Sequence, residues 1–272
     1  MSSRVLSLAA GSLPEAGPVT MVEAAAAGGW QYTGLWVEPG TNWTNTTTAE
    51  VREALARTGI KALDVEVIWI HPGEHDSDHD RILAWGAEVG ARAALVVSSE
   101  PDPARTRRRY EQLCRRAEAE GIRAVLEFLP ITEVKTLADA RTIVEDVAHP
   151  AGGILIDPLH LARTGGEPAD IAEIDPRWLP YAQFCDGLAH LADPTFERIL
   201  ADAIDGRDVP GAGTLPLDAL LRRLPSNLPL SFEIRSLAWR ERHQNPFSRA
   251  AALFDASMRW VRNFEGKADT VS

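Results

Sequence analysis

Only two cysteines, Cys114 and Cys185, occur in the 272 residues, and neither belongs to a CxxC pair. That excludes a disulfide-stapled scaffold and a zinc ribbon, and it fits a reducing compartment. Long hydrophobic runs are missing: nothing reaches the roughly 18 apolar residues of a membrane-spanning helix. Positive charge is scarce, since 28 Lys and Arg face 39 Asp and Glu, for a formal net charge of −11. Such a balance disfavours nucleic acid, whose phosphates need a basic surface, and an anionic membrane surface. It leaves a small anionic substrate open, because local charge can differ from net charge. The segment Met1 to Gly17 has one arginine and a short apolar stretch, Val5–Ala10, followed by Pro14 and Glu15. That stretch is too short for a signal-peptide core, so a cytoplasmic protein is expected. Asn42-Trp43-Thr44 and Asn45-Thr46-Thr47 match the glycosylation pattern, which carries little weight without an export signal. The dinucleotide fingerprint is also missing, because the first apolar run passes into Ala10-Gly11-Ser12-Leu13-Pro14.

What is present is an alternation of short apolar runs with longer amphipathic ones. Strands are predicted at Val5–Ala10, Tyr32–Val37, Ala62–Ile70, Ala93–Val97, Arg123–Phe128, Gly153–Ile156, Tyr181–Phe184 and Leu230–Ile234. Helical segments are predicted at Val19–Gly28, Thr48–Thr58, Asp80–Gly90, Pro103–Glu120, Thr136–Val147, Ala169–Ile174, Leu215–Leu224 and Pro246–Phe264. Glycines at 28, 29, 59 and 121 mark helix ends. Strands alternating with helices imply βαβ units and a parallel sheet, whose strands are buried on both faces and read as apolar runs. About eight such units in this length favour one α/β domain over residues 1–272, a single (β/α)8 TIM barrel. The stretch Asp186–Leu215 is expected to be a long irregular loop on the catalytic face, being rich in glycine and proline.

The chemistry is written at the ends of the later strands. Strand five ends in Leu126-Glu127-Phe128, strand six in Ile156-Asp157-Pro158, strand seven carries Gln183-Phe184-Cys185-Asp186, and strand eight ends in Phe232-Glu233-Ile234. Each sets a carboxylate or amide inside an apolar run, where an unpaired charge costs several kcal/mol. For any one of them, pairing with an arginine or facing water is the alternative. Together they converge where barrel enzymes place their chemistry, and four oxygen donors at one mouth can share their charge with one divalent cation. Hard oxygen ligands suit Mg2+ or Mn2+, although Co2+ and Zn2+ also occur with such sets.

Val125-Leu126-Glu127-Phe128, Ile156-Asp157-Pro158-Leu159-His160, Gln183-Phe184-Cys185-Asp186, Phe232-Glu233 and Arg207-Asp208-Val209-Pro210-Gly211-Ala212-Gly213 resemble the sugar phosphate isomerase/epimerase family. That family lies within the xylose-isomerase-like barrel superfamily, with inosose dehydratases, ketose 3-epimerases and family 2 endonucleases. The resemblance implies that Glu127, Asp157, Gln183 and Glu233 are metal ligands and that Glu127 and Glu233 also exchange protons with the substrate. It implies that His160 reaches the substrate, that Arg207 contacts a substrate oxygen or a metal-bound carboxylate, and that Asp186 orients a neighbour from behind. Ala212 stands where the family commonly has glutamate in Pro-Gly-Glu-Gly, which leaves the detail of that loop unassigned.

Other residues have two readings. His71, His75 and His79 lie four apart around Pro72 and Gly73, so they are expected in a solvated loop, with His71 or Glu66 as candidates to reach the pocket. Arg163, three after His160, either binds an anionic substrate group or forms an exposed ion pair. Trp30, Trp36, Trp43 and Trp69 cluster near the early strands, where Trp36 and Trp69 are candidates to line a substrate pocket and core packing is the commoner use. The arginines at 107–109 and at 115 and 116 are expected on a solvated helix face. Cys185 reads as a small buried hydrophobe.

Four activities compete. A metal-dependent isomerase or epimerase on a sugar, keto-sugar or related polyol is preferred, proceeding through an enediolate. A lyase would use the same site for β-elimination, with His160 as general acid. A DNA-repair endonuclease would need several zinc ions and a basic face, against which Gln183 and the net charge of −11 both speak. A binding subunit without activity would have no reason to keep all four ligands. The expected partner is a small sugar-like molecule, with no nucleic acid and no membrane, and homo-oligomerisation stays open.

Overall fold

The structure is a computed structural model that describes residues 4–73 and 75–269. Residues 1–3, Glu74 and residues 270–272 of the expected 1–272 domain lie outside the described residues. The chain alternates β1 (Leu6–Leu8), α1 (Pro18–Ala27), β2 (Tyr32–Trp36), α2 (Asn45–Thr58), β3 (Lys61–Ile70), α3 (Ser77–Glu88), β4 (Ala93–Ser98), α4 (Pro103–Glu120), β5 (Arg123–Glu127), α5 (Leu137–Val147) and β6 (Gly152–Leu155). It continues through α6 (Pro158–Arg163), β7 (Ala182–Phe184), α7 (Phe196–Asp205), α8 (Leu217–Arg223), β8 (Leu230–Phe232), α9 (Leu237–Arg242) and α10 (Pro246–Asp269).

The eight strands form one sheet in the order β6-β5-β4-β3-β2-β1-β8-β7, and every pairing within it is parallel. A bridge between Ile156 and Ala182, with the Gln183 N–H donating to the Ile156 carbonyl at 3.0 Å, joins β6 to β7 and closes the (β/α)8 barrel. Alternation along each strand then fixes two environments. Leu126, Ile154, Phe184 and Phe232 point outward and pack with helix residues such as Leu113, Ile143 and Leu253 in the main core. Leu63, Leu95, Val97, Val125, Leu155 and Tyr181 fill the lumen as a smaller cluster. No helix among the described residues is long and apolar enough to cross a membrane.

The predicted strands and helices lie where the sequence put them, with changes at their ends. The first strand is shorter than Val5–Ala10, because Ala10–Ser12 turns into a 3-10 helix. The helix expected from Asp80 starts at Ser77, where Asp76 caps the Asp78 N–H. Residues 169–174 are covered by a 3-10 segment, Pro168–Glu173. The stretch 186–215 is not an irregular loop throughout: α7 forms within it, capped by the Thr195 side chain and ended by Gly206. The density of glycine and proline around α7 hid its start and stop signals.

Candidate metal centre

Local rules build each wall of the centre. At the end of β6, Asp157 caps α6: its Oδ1 accepts from the Leu159 and His160 N–H groups at 2.6 and 3.2 Å, and Pro158 takes the first helical position. That cap turns His160, in the first turn, into the barrel mouth. Glu127, Gln183 and Glu233 occupy inward positions of β5, β7 and the end of β8. With Asp157, His160 and Arg207 they are between 0% and 9% exposed.

Arg207 ties one half of this cluster together. Its Nη1 donates to Asp157 Oδ2 at 2.6 Å and to Cys185 Sγ at 3.2 Å, while Nη2 lies 2.9 Å from Glu233 Oε2 and 3.2 Å from His160 Nε2. Its Nε donates to the Ala203 carbonyl at 3.0 Å, which fixes the arm from behind. The other half has no partner: Glu127 Oε1 and both Gln183 side-chain atoms are buried without a hydrogen bond. His160 Nε2 is 3.8 Å from Glu127 Oε1.

The electrostatics follow. Burial raises the Glu127 carboxyl well above its usual range, and Asp157 and Glu233 add repulsion. Glu233 is raised by burial, against the pull of Arg207. Burial would raise Asp157 too, but Arg207, His160 and the cap bonds hold it at about 2. Burial lowers His160 to about 4, so it is neutral at pH 7. Because Arg207 has only protons to offer, His160 Nε2 is the acceptor of their contact and the ring proton sits on Nδ1.

The donor set fits a divalent ion. Ligand atoms of Glu127, Asp157 and His160 lie within 4.8 Å of one another. The unpartnered oxygens of Glu127 and Gln183 face the same mouth, and buried polar atoms left this way call for a partner. Geometry thus groups His160 with Glu127 and Asp157 as a third donor, where the resemblance implied a substrate role.

The remaining sequence candidates fall in distinct places. Asp186 accepts from the N–H groups of Gly187 (2.8 Å), Leu215 (3.1 Å) and Gly211 (2.8 Å), so it clamps the Pro210-Gly211 loop against β7. Arg163 pairs with Asp202 at 2.7 Å and donates to the Leu188 and Ala189 carbonyls, in a buried ion pair where the sequence allowed only an exposed one. Glu66 lies in the lumen beside Asp64, and a Cβ at Gly34 would stand 3.2 Å from an oxygen of each. Those same oxygens, Asp64 Oδ1 and Glu66 Oε1, have no hydrogen-bond partner. Burial raises both acids, Asp64 to about 7. Nothing in the sequence singled out Asp64, although its place two residues before Glu66 on one strand puts both on one face.

Trp36 and Trp69 are half-buried at strand ends, whereas Trp30 and Trp43 are core residues. His71 is exposed and stacks on Trp69, with ring centroids 5.4 Å apart. A cleft of about 340 Å³ opens beside this pair, bounded by Val37, Glu38, Thr41 and Asp76. His79 is buried, not in a solvated loop, and its Nε2 lies 3.0 Å from the Trp69 carbonyl. Arg109 departs from the solvated face expected for its run: it is buried and donates to the His71 carbonyl. Cys185 is buried and its thiol is pushed up by burial, which leaves it unreactive at neutral pH.

Comparison with known proteins agrees with this architecture. No curated protein matches the chain. Among solved structures, a fusion of a xylose isomerase-like TIM barrel with 4-hydroxyphenylpyruvate dioxygenase superimposes with a TM-score of 0.80 at 22% identity, over 97% of this chain and 43% of that one. The chain therefore spans less than half of that fusion protein. The IolI protein with a zinc atom gives a TM-score of 0.73 at 16% identity, over 96% of this chain and 98% of that one. D-psicose 3-epimerase from Clostridium cellulolyticum H10, solved with D-tagatose, gives 0.68 at 15% identity, over 93% and 98%. At such identities the likeness is one of fold. The family model described as xylose isomerase-like TIM barrel matches residues 21–264, and the chain belongs to that family.

Proposed function

We propose that the protein is a divalent-metal-dependent isomerase or epimerase that removes and returns a proton beside a carbonyl of a keto-sugar or related polyol. The observation that carries this reading is the asymmetry of the centre: Asp157 and Glu233 are bound by Arg207, while Glu127 and Gln183 present buried, unpartnered oxygens. Glu127, Asp157, Gln183 and Glu233, with His160 beside them, are the residues that would hold the ion. A divalent ion there supplies a Lewis acid that acidifies the C–H next to a carbonyl.

The protein's own groups supply the rest. Glu127 and Glu233 stand on strands β5 and β8, so a substrate between them meets a carboxylate from either side. Burial raises the proton affinity of both above that of an ordinary carboxylate, which suits groups that must take a proton and give it back. Arg207 commits its N–H groups to Asp157, Glu233, Cys185, His160 and the Ala203 carbonyl, so what it brings to a developing enediolate oxygen is its fixed positive charge. The low-lying luminal cluster of Leu95, Val97, Val125 and Leu155 excludes water beneath the site.

The test is metal content of the wild type and of Glu233→Gln, coupled to solvent deuterium uptake across keto-sugars and sugar conjugates. About one ion per chain and exchange in the wild type, both reduced in the variant, support the reading. A released, dehydrated product in place of an isomer would assign the site to β-elimination. Absence of metal under every loading condition would overturn it in favour of a binding protein.

A further inference from the structure

We propose that Arg235, stacked on Trp36, is an anion-binding element at the barrel mouth and selects substrates that carry a carboxylate or phosphoryl group. The proposal rests on the metal-centre reading above and narrows its substrate class from neutral keto-sugars to polyhydroxy acids and sugar phosphates.

Arg235 follows Glu233 by two residues at the end of β8, and Ile234 between them is 1% exposed in the outer core. Alternation therefore puts Arg235 on the inward side with Glu233. Its backbone is pinned there, since its carbonyl accepts from the Arg207 N–H at 3.2 Å. Its guanidinium carbon lies 5.1 Å from the Trp36 ring centroid. Trp36 ends β2 and is in register with Glu66, so it belongs to the same mouth.

The other arginines near this rim are committed. Arg207 bonds Asp157 and Glu233, Arg163 bonds Asp202, and Arg240 bonds Asp205. Among the described residues no carboxylate pairs with Arg235, and its Nε is buried without a hydrogen-bond partner. In a chain of net charge −11, an arginine left without an acid beside a carboxylate centre is held for something else.

Contact with an indole face restrains a guanidinium without using up its N–H groups. That edge matches two oxygens of a carboxylate or phosphoryl group, and a preheld fork loses little freedom on binding. An anion docked there would sit at the same mouth as Glu233, two residues away along the chain.

The experiment is calorimetric titration of metal-loaded and metal-free protein with glycerate, glycerol phosphate and glycerol. Wild type is expected to bind at least one anion and to ignore glycerol, and the stronger of the two names the group. Arg235→Met keeps the bulk over Trp36 and should weaken the anion about 10- to 100-fold, with metal content unchanged. Arg235→Lys should fall between, because an ammonium lacks the fork. Trp36→Leu, which leaves the charge but frees it, should weaken binding several-fold. The contrast between wild type and Arg235→Met is expected in the metal-free protein too, so loss of the metal centre alone would not erase it. Equal anion binding by wild type and Arg235→Met in both states, or no binding of either anion by wild type, would overturn the proposal.

Discussion

Arg207 Nη1 lies 2.6 Å from Asp157 Oδ2, within the carboxylate set assigned to the metal. A buried guanidinium and a divalent cation are both positive, and both draw on Asp157 and Glu233. Arg207 thus keeps two buried acids compensated, and it also repels the ion that would join them.

Replacing Arg207 with methionine separates these effects. Without metal, two uncompensated buried carboxylates should cost about 3–5 kcal/mol of stability. With metal, the lost repulsion should tighten binding, so the gain in melting temperature on adding Mn2+ should exceed that of the wild type. Thermal unfolding with and without Mn2+ measures both, and a smaller gain in the variant would mean that Arg207 assists metal binding.

Glu127→Gln should have the opposite profile. It removes a charge that burial, Asp157 and Glu233 all oppose. The metal-free protein should melt higher than the wild type, while its metal content drops well below one ion per chain. A site kept at the expense of stability behaves in this way.

Stability of the metal-free protein should fall as pH rises from about 4, where carboxyls of the unfolded chain titrate, to about 7. Asp64, at about 7 in the fold, and Glu66 and Glu127, raised well above their usual range, bind protons that the unfolded chain has already released. The folded state then holds more protons, so stability declines with pH through that window. His160, lowered to about 4, acts the other way, but only between about 4 and its unfolded value near 6.5. Asp157, at about 2, stays ionised throughout. One fully titrating group contributes about 1.4 kcal/mol per pH unit, or about 2–4 °C in Tm. Asp64→Asn should flatten the slope, and a melting temperature that does not fall between pH 5 and 7 would refute the assignment.

Gly213→Ala should disrupt the loop that carries Arg207. A Cβ at Gly213 would stand 2.3 Å from the Gly187 carbonyl oxygen and 2.4 Å from Asp186 Oδ1, with no room to move because Asp186 is held by three backbone N–H groups. The expected result is a lower Tm and weaker metal retention together. Ala212→Glu alters the neighbouring position, which is exposed, and serves as the control.

The barrel was legible because its signals are local. Apolar runs of strand length, glycines 59 and 121 in left-handed C-caps, and the Asp157-Pro158 helix start each act within a few residues. The same periodicity put Glu127, Asp157, Gln183 and Glu233 at strand ends, since one residue's shift would turn each to the opposite face. Helix α7 was missed because its cap and its Gly206 stop lie within a glycine- and proline-rich stretch that reads as loop.

Sequence alone therefore determined the barrel, the inward faces of its strands and the acids they carry. Tertiary structure decided what each polar side chain does, because partners come from strands and loops far apart in the chain. Composition and spacing do not separate Arg163 from Arg207, and only the family resemblance singled out Arg207. Folding puts one against Asp202 and the other between Asp157 and Glu233. Likewise the meeting of Arg235 with Trp36 exists only because β1 lies between β8 and β2 in the sheet. Burial then fixes the outcome, since a charge removed from water must take whichever partner the closed barrel brings within reach.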